Sequence, residues 1–185
     1  MKVVSSYGVE IKKQNIPIRH TLHIYRQAVR YLIHVYEECW EELFQIANLQ
    51  KRFNAAEHLV HSTKKNRARY DFDQRFPKMP SYLRRSAIQH ALGSVSSYET
   101  RLELWKQKKL DGKPKLVYEN HAMPVFYRDV MYKEAEDQAD IAFLKLYDGR
   151  DWKWFPVNLL HTDMEYLRKN WIRIRKKIYQ LRRIA

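Results

Sequence analysis

Arg84, Arg85 and Gln89 are residue types that can read nucleic acid: both guanidinium and amide side chains hydrogen-bond bidentately to base edges in a major groove. Arg85 and Gln89 are four residues apart, so in a helix both project from one face. The run MPSYLRRSAIQ puts the two arginines in the first turn of an expected helix, where the positive end of the helix dipole disfavours cations. Such a local conflict invites an anion docked at that end and met by free backbone N–H groups. The bland alternative is a pair of solvated surface arginines, which are common.

Upstream, STKKNRARYDFDQRFPKMP is polar, basic and closed by proline, and reads as a loop. Lys64, Lys65, Arg67, Arg69 and Lys78 supply cations there, and Tyr70, Phe72 and Phe76 interrupt them. Phosphate contacts combined with base stacking use that mixture. A solvated loop with its aromatics tucked into a core uses it equally well. Lys12 and Lys13, at the end of a short N-terminal strand, join the candidates for RNA or phosphate binding. So do Arg173, Lys176 and Lys177 in a basic closing helix, which could instead lie on an anionic membrane surface.

The overall charge favours polyanions as partners. Over 185 residues, 35 Lys and Arg against 21 Asp and Glu leave +14, enough for a long-range positive field. A single cysteine, Cys39, excludes an internal disulfide and a Cys-based zinc site, and its apolar helical setting reads as a buried, inert thiol. No apolar run is long enough to span a membrane and the N-terminus is too polar for a signal peptide, so the expected location is cytoplasmic, at the nucleoid when bound to DNA.

Signals for catalysis are weak. The pairs His20/His23 and His58/His61 have a spacing compatible with metal ligation but no acidic or cysteine partner set nearby, and read as ordinary histidines. There is no P-loop, dinucleotide fingerprint or nucleophile elbow. Glu134, Glu136 and Asp137 form only a local acidic group, whereas a two-metal nuclease needs carboxylates converging from separate strands. No catalytic residue, metal or cofactor is assigned to this chain.

The elements that must position these residues follow from periodicity. A strand is expected over 3–12 and helices over 21–47, 51–63 and 82–108, the last with a stripe of Leu83, Ile88, Leu92, Val95, Leu102 and Trp105. From 115 to 158 the texture becomes β-rich, and Asp148-Gly149 between two aromatic runs signals a hairpin. Thr162 to Glu165 fits a capping box opening a helix over about 163–182. The order predicts an α+β chain in which residues 1–18 and 112–185 form a β-rich domain and 19–111 a helical domain inserted into it.

The segments MPSYLRRSAIQHALGSVSSY, GKPKL and MPVFYRDVMYK, in that order, resemble the recognition-domain signature of TnpB (OrfB) proteins. These are RNA-guided DNA endonucleases of insertion sequences, related to compact type V CRISPR effectors. YGVEIKK and AFLKLYDGRDWKWFPVNL resemble the two parts of that family's wedge domain. The resemblance implies a small β-barrel wedge with an inserted helical recognition domain, holding a guide-type RNA and double-stranded DNA beside the target. It implies that Arg85 and Gln89 approach that duplex and that Tyr127 and Arg128 contact it from a neighbouring loop. The family pattern has Asn where Val130 stands, so this loop lacks an amide for base reading. The sequence stops about where the RuvC-like nuclease domain, which would carry the Mg²⁺ site, is expected to begin. The expected function is therefore a recognition lobe without catalytic residues. Alternatives are a half-nuclease assembling with a separate RuvC-like subunit, an RNA-guided regulator that does not cut, and a membrane-surface protein.

Overall fold

The computed structural model describes residues 10–12, 16–118, 121–135, 138, 140–171 and 178–180, with side chains as far as Tyr166. The chain is α+β and about half helical. Its elements are α1 (Ile18–Glu38), α2 (Trp40–Phe44), α3 (Leu49–Val60), α4 (Phe72–Arg75), α5 (Ser81–Lys106), β1 (Val125–Tyr127), β2 (Tyr132–Glu134), β3 (Ile141–Tyr147), β4 (Trp152–Asn158), α6 (His161–Trp171) and β5 (Ile178–Gln180). They fall into two compact units. One joins Thr21–Val125 with the residues from Gln180; the other combines the N-terminal residues through His20 with Phe126–Tyr179.

The helical unit is built on α1, whose Tyr25, Ala28, Val29, Leu32, Ile33, Val35 and Tyr36 are all buried at three- and four-residue spacing. Burying such a stripe is what stabilises a helix of ordinary propensity. The expected helix over 21–47 is broken at Cys39, where the backbone leaves helical geometry before α2. Asn48 caps α3, its Oδ1 accepting from the Lys51 N–H at 3.0 Å. The expected loop over 62–80 contains the short α4, which carries Phe72 into the core at 0% exposure. Helix α5 contributes Leu83, Ala87, Ile88, Ala91 and Val95 to the core, while Leu92, Leu102 and Trp105 remain half-exposed. Residues after α5 return onto α1. The Tyr118 hydroxyl donates to Glu37, its ring stacks on His34 at 4.1 Å, and Arg26 Nε donates to the Ala122 carbonyl at 3.2 Å. The bond to Glu37 and partial burial push the Tyr118 pKa up to about 12.

A polar seam crosses this core. The Tyr25 hydroxyl hydrogen-bonds with Ser86 Oγ at 2.9 Å and His90 Nδ1 at 2.6 Å. Burial holds the His90 pKa below its ordinary value, because desolvation disfavours the imidazolium.

In the other unit β2, β3 and β4 form an antiparallel sheet pairing Tyr132 with Leu144 and Leu144 with Phe155. Ala142, Leu144 and Leu146 alternate inward. The β3–β4 turn confirms the hairpin signal: Gly149 has φ +100°, and Asp148 Oδ1 accepts from the N–H groups of Arg150 and Asp151 at 2.8 Å each. Asp148 Oδ2 takes the Lys153 ammonium at 2.7 Å, and these bonds hold the Asp148 carboxyl well below the usual carboxylate range.

Three expectations need correction, and a fourth lies mostly outside the described residues. Among the described residues the three-stranded sheet is not closed into a barrel: β1 pairs with β5 in a separate two-stranded sheet, and β2 has only three residues with which to propagate pairing. Of the expected strand over 3–12, only 10–12 are described, and Ile11 bridges Leu159 there. Thr162 is not a cap, because α6 begins one residue earlier at His161, and the Met164 N–H is satisfied by the Leu160 carbonyl at 3.1 Å. The closing helix does not run to 182 either. Ile178–Gln180 is strand, consistent with the β preference of Ile and Tyr.

Neutral burial of His90 sets a pH dependence. With the folded pKa depressed, the unfolded chain binds more protons, so stability is full above the unfolded value of about 6.5 and falls as pH drops through the folded pKa. Urea unfolding at pH 7.5 and pH 5 should show a smaller acid loss for His90→Gln than for the wild type. Equal losses would remove His90 as a source of that dependence.

Candidate nucleic-acid interface

The conflict at the start of α5 is resolved inside the protein. Arg84 is 8% exposed. Its Nη2 donates to Glu57 Oε1 of α3 at 3.5 Å and its Nη1 lies 3.7 Å from Asp73 Oδ1 of α4. Arg85 shares the same carboxylate, Nε to Glu57 Oε2 at 3.5 Å, and its guanidinium stands 5.2 Å from the centre of the Phe53 ring. The anion facing the first turn is thus a protein carboxylate. Arg84, expected to contact DNA, is a buried tie between three helices, while its Nε makes no hydrogen bond among the described residues. Asp73 also takes His61 Nδ1 at 2.7 Å, which gives that histidine a structural partner.

Arg85 and Gln89 remain outside. The Arg85 side chain is 46% exposed and Gln89 is exposed one turn further along the same face. Glu57 and Phe53 both contact the Arg85 guanidinium and so orient it at the surface.

The basic loop resolves into two parts. Lys64 and Lys65 form the tip of a turn closed by Thr63 and Asn66, whose backbones exchange hydrogen bonds at 2.8 and 3.3 Å. Thr63 Oγ1 accepts from the N–H groups of Lys65 and Asn66, and Asn66 Nδ2 reaches back to the His58 carbonyl at 2.9 Å. Lys64, Lys65 and Arg67 make no ion pair among the described residues, and the two lysines are exposed. Arg69 is already engaged: Nη2 lies 2.6 Å from Cys39 Sγ and 3.2 Å from Glu42 Oε2, and the guanidinium covers the Tyr70 ring. The bond to Cys39, first of all, raises the Arg69 pKa, while burial and its own contact with Cys39 push Tyr70 up to about 12. Lys78 is exposed in a left-handed conformation, φ 58°, next to buried Met79.

Tyr127 and Arg128 belong to the other unit. Both are half-exposed; Arg128 approaches Asp129 and Glu134, each at 3.8 Å. Asp129 takes φ 63° in the turn that follows, and Val130 is exposed at its tip. Lys12 is exposed, and its N–H donates to the Asn158 carbonyl. Lys13, Arg173, Lys176 and Lys177 lie outside the described residues. Among those described, no group of three His, Cys, Asp or Glu is arranged to hold a metal, and no helix is long and apolar enough to cross a membrane.

Sequence reasoning missed Glu57 and Asp73 as the partners of Arg84. They lie 27 and 11 positions upstream, beyond any local spacing rule.

The two arginines should separate by stability. Arg84→Ala leaves Glu57 without its principal partner in a site only 17% exposed and should cost about 2–3 kcal/mol in urea unfolding. Arg85→Ala should cost about 0.5 kcal/mol or less, as exposed pairs do. A reversed order would overturn this division of roles.

Residues 5–148 match the model of the Aq_aa04 family, and the chain belongs to that family. No curated protein and no solved structure matches it.

Proposed function

We propose that this member of the Aq_aa04 family is a nucleic-acid-binding recognition module, comparable with the wedge and recognition half of TnpB-type RNA-guided endonucleases, that engages structured RNA and duplex DNA. The observation carrying this reading is the outward pair Arg85 and Gln89, oriented one turn apart on α5 while the neighbouring Arg84 is held inside. An arginine held by its own protein's carboxylate and ring loses little freedom on meeting a guanine edge, and an amide one turn away suits adenine. The turn bearing Lys64, Lys65 and Arg67 adds cations that form no ion pair among the described residues, as phosphate contacts require.

The excess of +14 supports a polyanionic partner of this kind. Tyr127 and Arg128 are proposed to meet the same duplex. The family resemblance supplies that role, and Val130 in place of Asn makes the loop a backbone contact rather than a base reader. A wedge-like role for the second unit requires no closed barrel, since the three-stranded sheet already supplies a folded platform. The proposed partners are a guide-type RNA, target-adjacent duplex and, for cutting, a RuvC-like nuclease that carries its own Mg²⁺.

Two measurements test the reading. The chain expressed with its native flanking DNA and purified at moderate salt should retain one discrete RNA; random RNA stripped by salt would reject guide binding. Selection from randomised duplex should then yield a motif whose binding falls about tenfold or more in Arg85→Ala, with generic DNA far less affected. Equal losses on all sequences would sink base reading. Replacing Lys64, Lys65 and Arg67 together by Ala should reduce the slope of log affinity against log salt by roughly 2–3, at about 0.7–0.9 for each phosphate that is no longer neutralised.

A further inference from the structure

The three-stranded sheet presents a second face that none of these contacts uses. Side chains alternate along a strand. While Ala142, Leu144 and Leu146 go inward, Ile141, Phe143, Lys145 and Tyr147 come out half-exposed on the other side. The register aligns Lys133 with Phe143, Lys145 with Trp154 and Tyr147 with Trp152. Two lysines and four aromatic rings therefore share one surface. The Lys133 ammonium stands 4.9 Å from the centre of the Trp154 ring and 5.4 Å from that of Phe143, and Lys145 is 6.0 Å from Trp154. Tyr147 and Trp152 pack at 5.3 Å. No strand residue on this face is acidic: the sole carboxylate in β2, β3 and β4, Glu134, aligns with Ala142 on the inner side.

We propose that this face binds single-stranded nucleic acid, with bases stacking on Phe143, Trp154 and the Tyr147–Trp152 pair and the backbone drawn to Lys133 and Lys145. Aromatic rings on a solvated sheet accept any base through its π-face, and cations beside them meet the phosphates that link those bases. The lysines already rest against the rings by cation–π attraction. Positive charge is thus fixed within reach of any base stacked there. A duplex fits poorly, because its bases are stacked on one another and cannot lie on a protein ring. Among the described strand residues of this face no carboxylate opposes a polyanion. The site is distinct from the Arg85–Gln89 face, which is proposed for duplex and lies in the other unit. It rests on the nucleic-acid reading only in the class of partner.

The full chain, mixed with excess generic duplex to occupy other basic surfaces, should still bind a short fluorescent oligo(U). Trp154→Leu, and separately Lys133→Gln with Lys145→Gln, should each weaken that binding by roughly fivefold or more. Because Trp154→Leu could disturb the sheet, the deciding measurement uses the unsubstituted chain: oligomers containing 4-thiouridine are photocrosslinked and the adducts mapped by mass spectrometry. Adducts on Phe143, Tyr147, Trp152 or Trp154 are expected. Adducts confined to the Thr63–Asn66 turn or to α5 would overturn the sheet-face site while leaving the module a nucleic-acid binder. Absence of binding to any RNA or DNA would remove both proposals.

Discussion

Glu57 presents its carboxylate to the guanidinium groups of both Arg84 and Arg85, and much of the helical unit depends on that arrangement. A glutamate only 17% exposed would be costly to leave ionised alone. Two arginines at the start of α5 compensate it, and Asp73 of α4 shares the first of them. Three helices from separate stretches of chain are thereby registered at one point: α3 through Glu57, α4 through Asp73, α5 through its first turn. The same contact sends neighbouring arginines in opposite directions. One is absorbed into the protein, and the other is steadied at its surface.

That division recurs across the unit. Arg52 lies over Trp40 and Phe44, Arg75 over Tyr31, Arg69 against Cys39 and Tyr70, and Arg26 on the Ala122 carbonyl. These guanidinium groups serve largely as flat, weakly hydrated packing surfaces. Lysines at the Thr63–Asn66 turn carry charge outward instead. The formal excess of +14 therefore overstates the charge a polyanion can reach in the helical unit, and the reachable part is concentrated at a few positions.

The helices were legible because their apolar residues recur at three and four, and the hairpin because Asp148-Gly149 can be little else between two aromatic runs. The break at Cys39 was hidden, since apolar spacing continues across it through Trp40 and Leu43. Short α4 was masked by the polar residues around Phe72 and Phe76, whose burial only a folded neighbour can provide. Thr162 looked like a cap on local grammar alone, yet the helix could begin at His161, whose Nδ1 pairs with Asp140 at 2.8 Å. Of the candidate site, Arg85 and Gln89 were legible as a face, and the inward turn of Arg84 was not. The lysine–aromatic face of the sheet was written in the alternation of IAFLKLY and WKWF, but register between strands was needed to bring Lys133 onto Trp154.

The sole thiol of the chain lies beneath a latch. Cys39 is 3% exposed, covered by the Arg69 guanidinium and within 3.1 Å of the Tyr70 hydroxyl. Lifting of the segment that carries Arg69 and Tyr70 from the junction of α1 and α2 would bare it to reagent. The molecule thus contains a built-in stopwatch: its rate of thiol modification under native conditions counts local openings of that junction, without interference from any second cysteine. Because the lifted segment continues directly from the turn bearing Lys64 and Lys65, a polyanion gripping that turn would speed or slow the count according to whether it pulls the latch open or holds it shut.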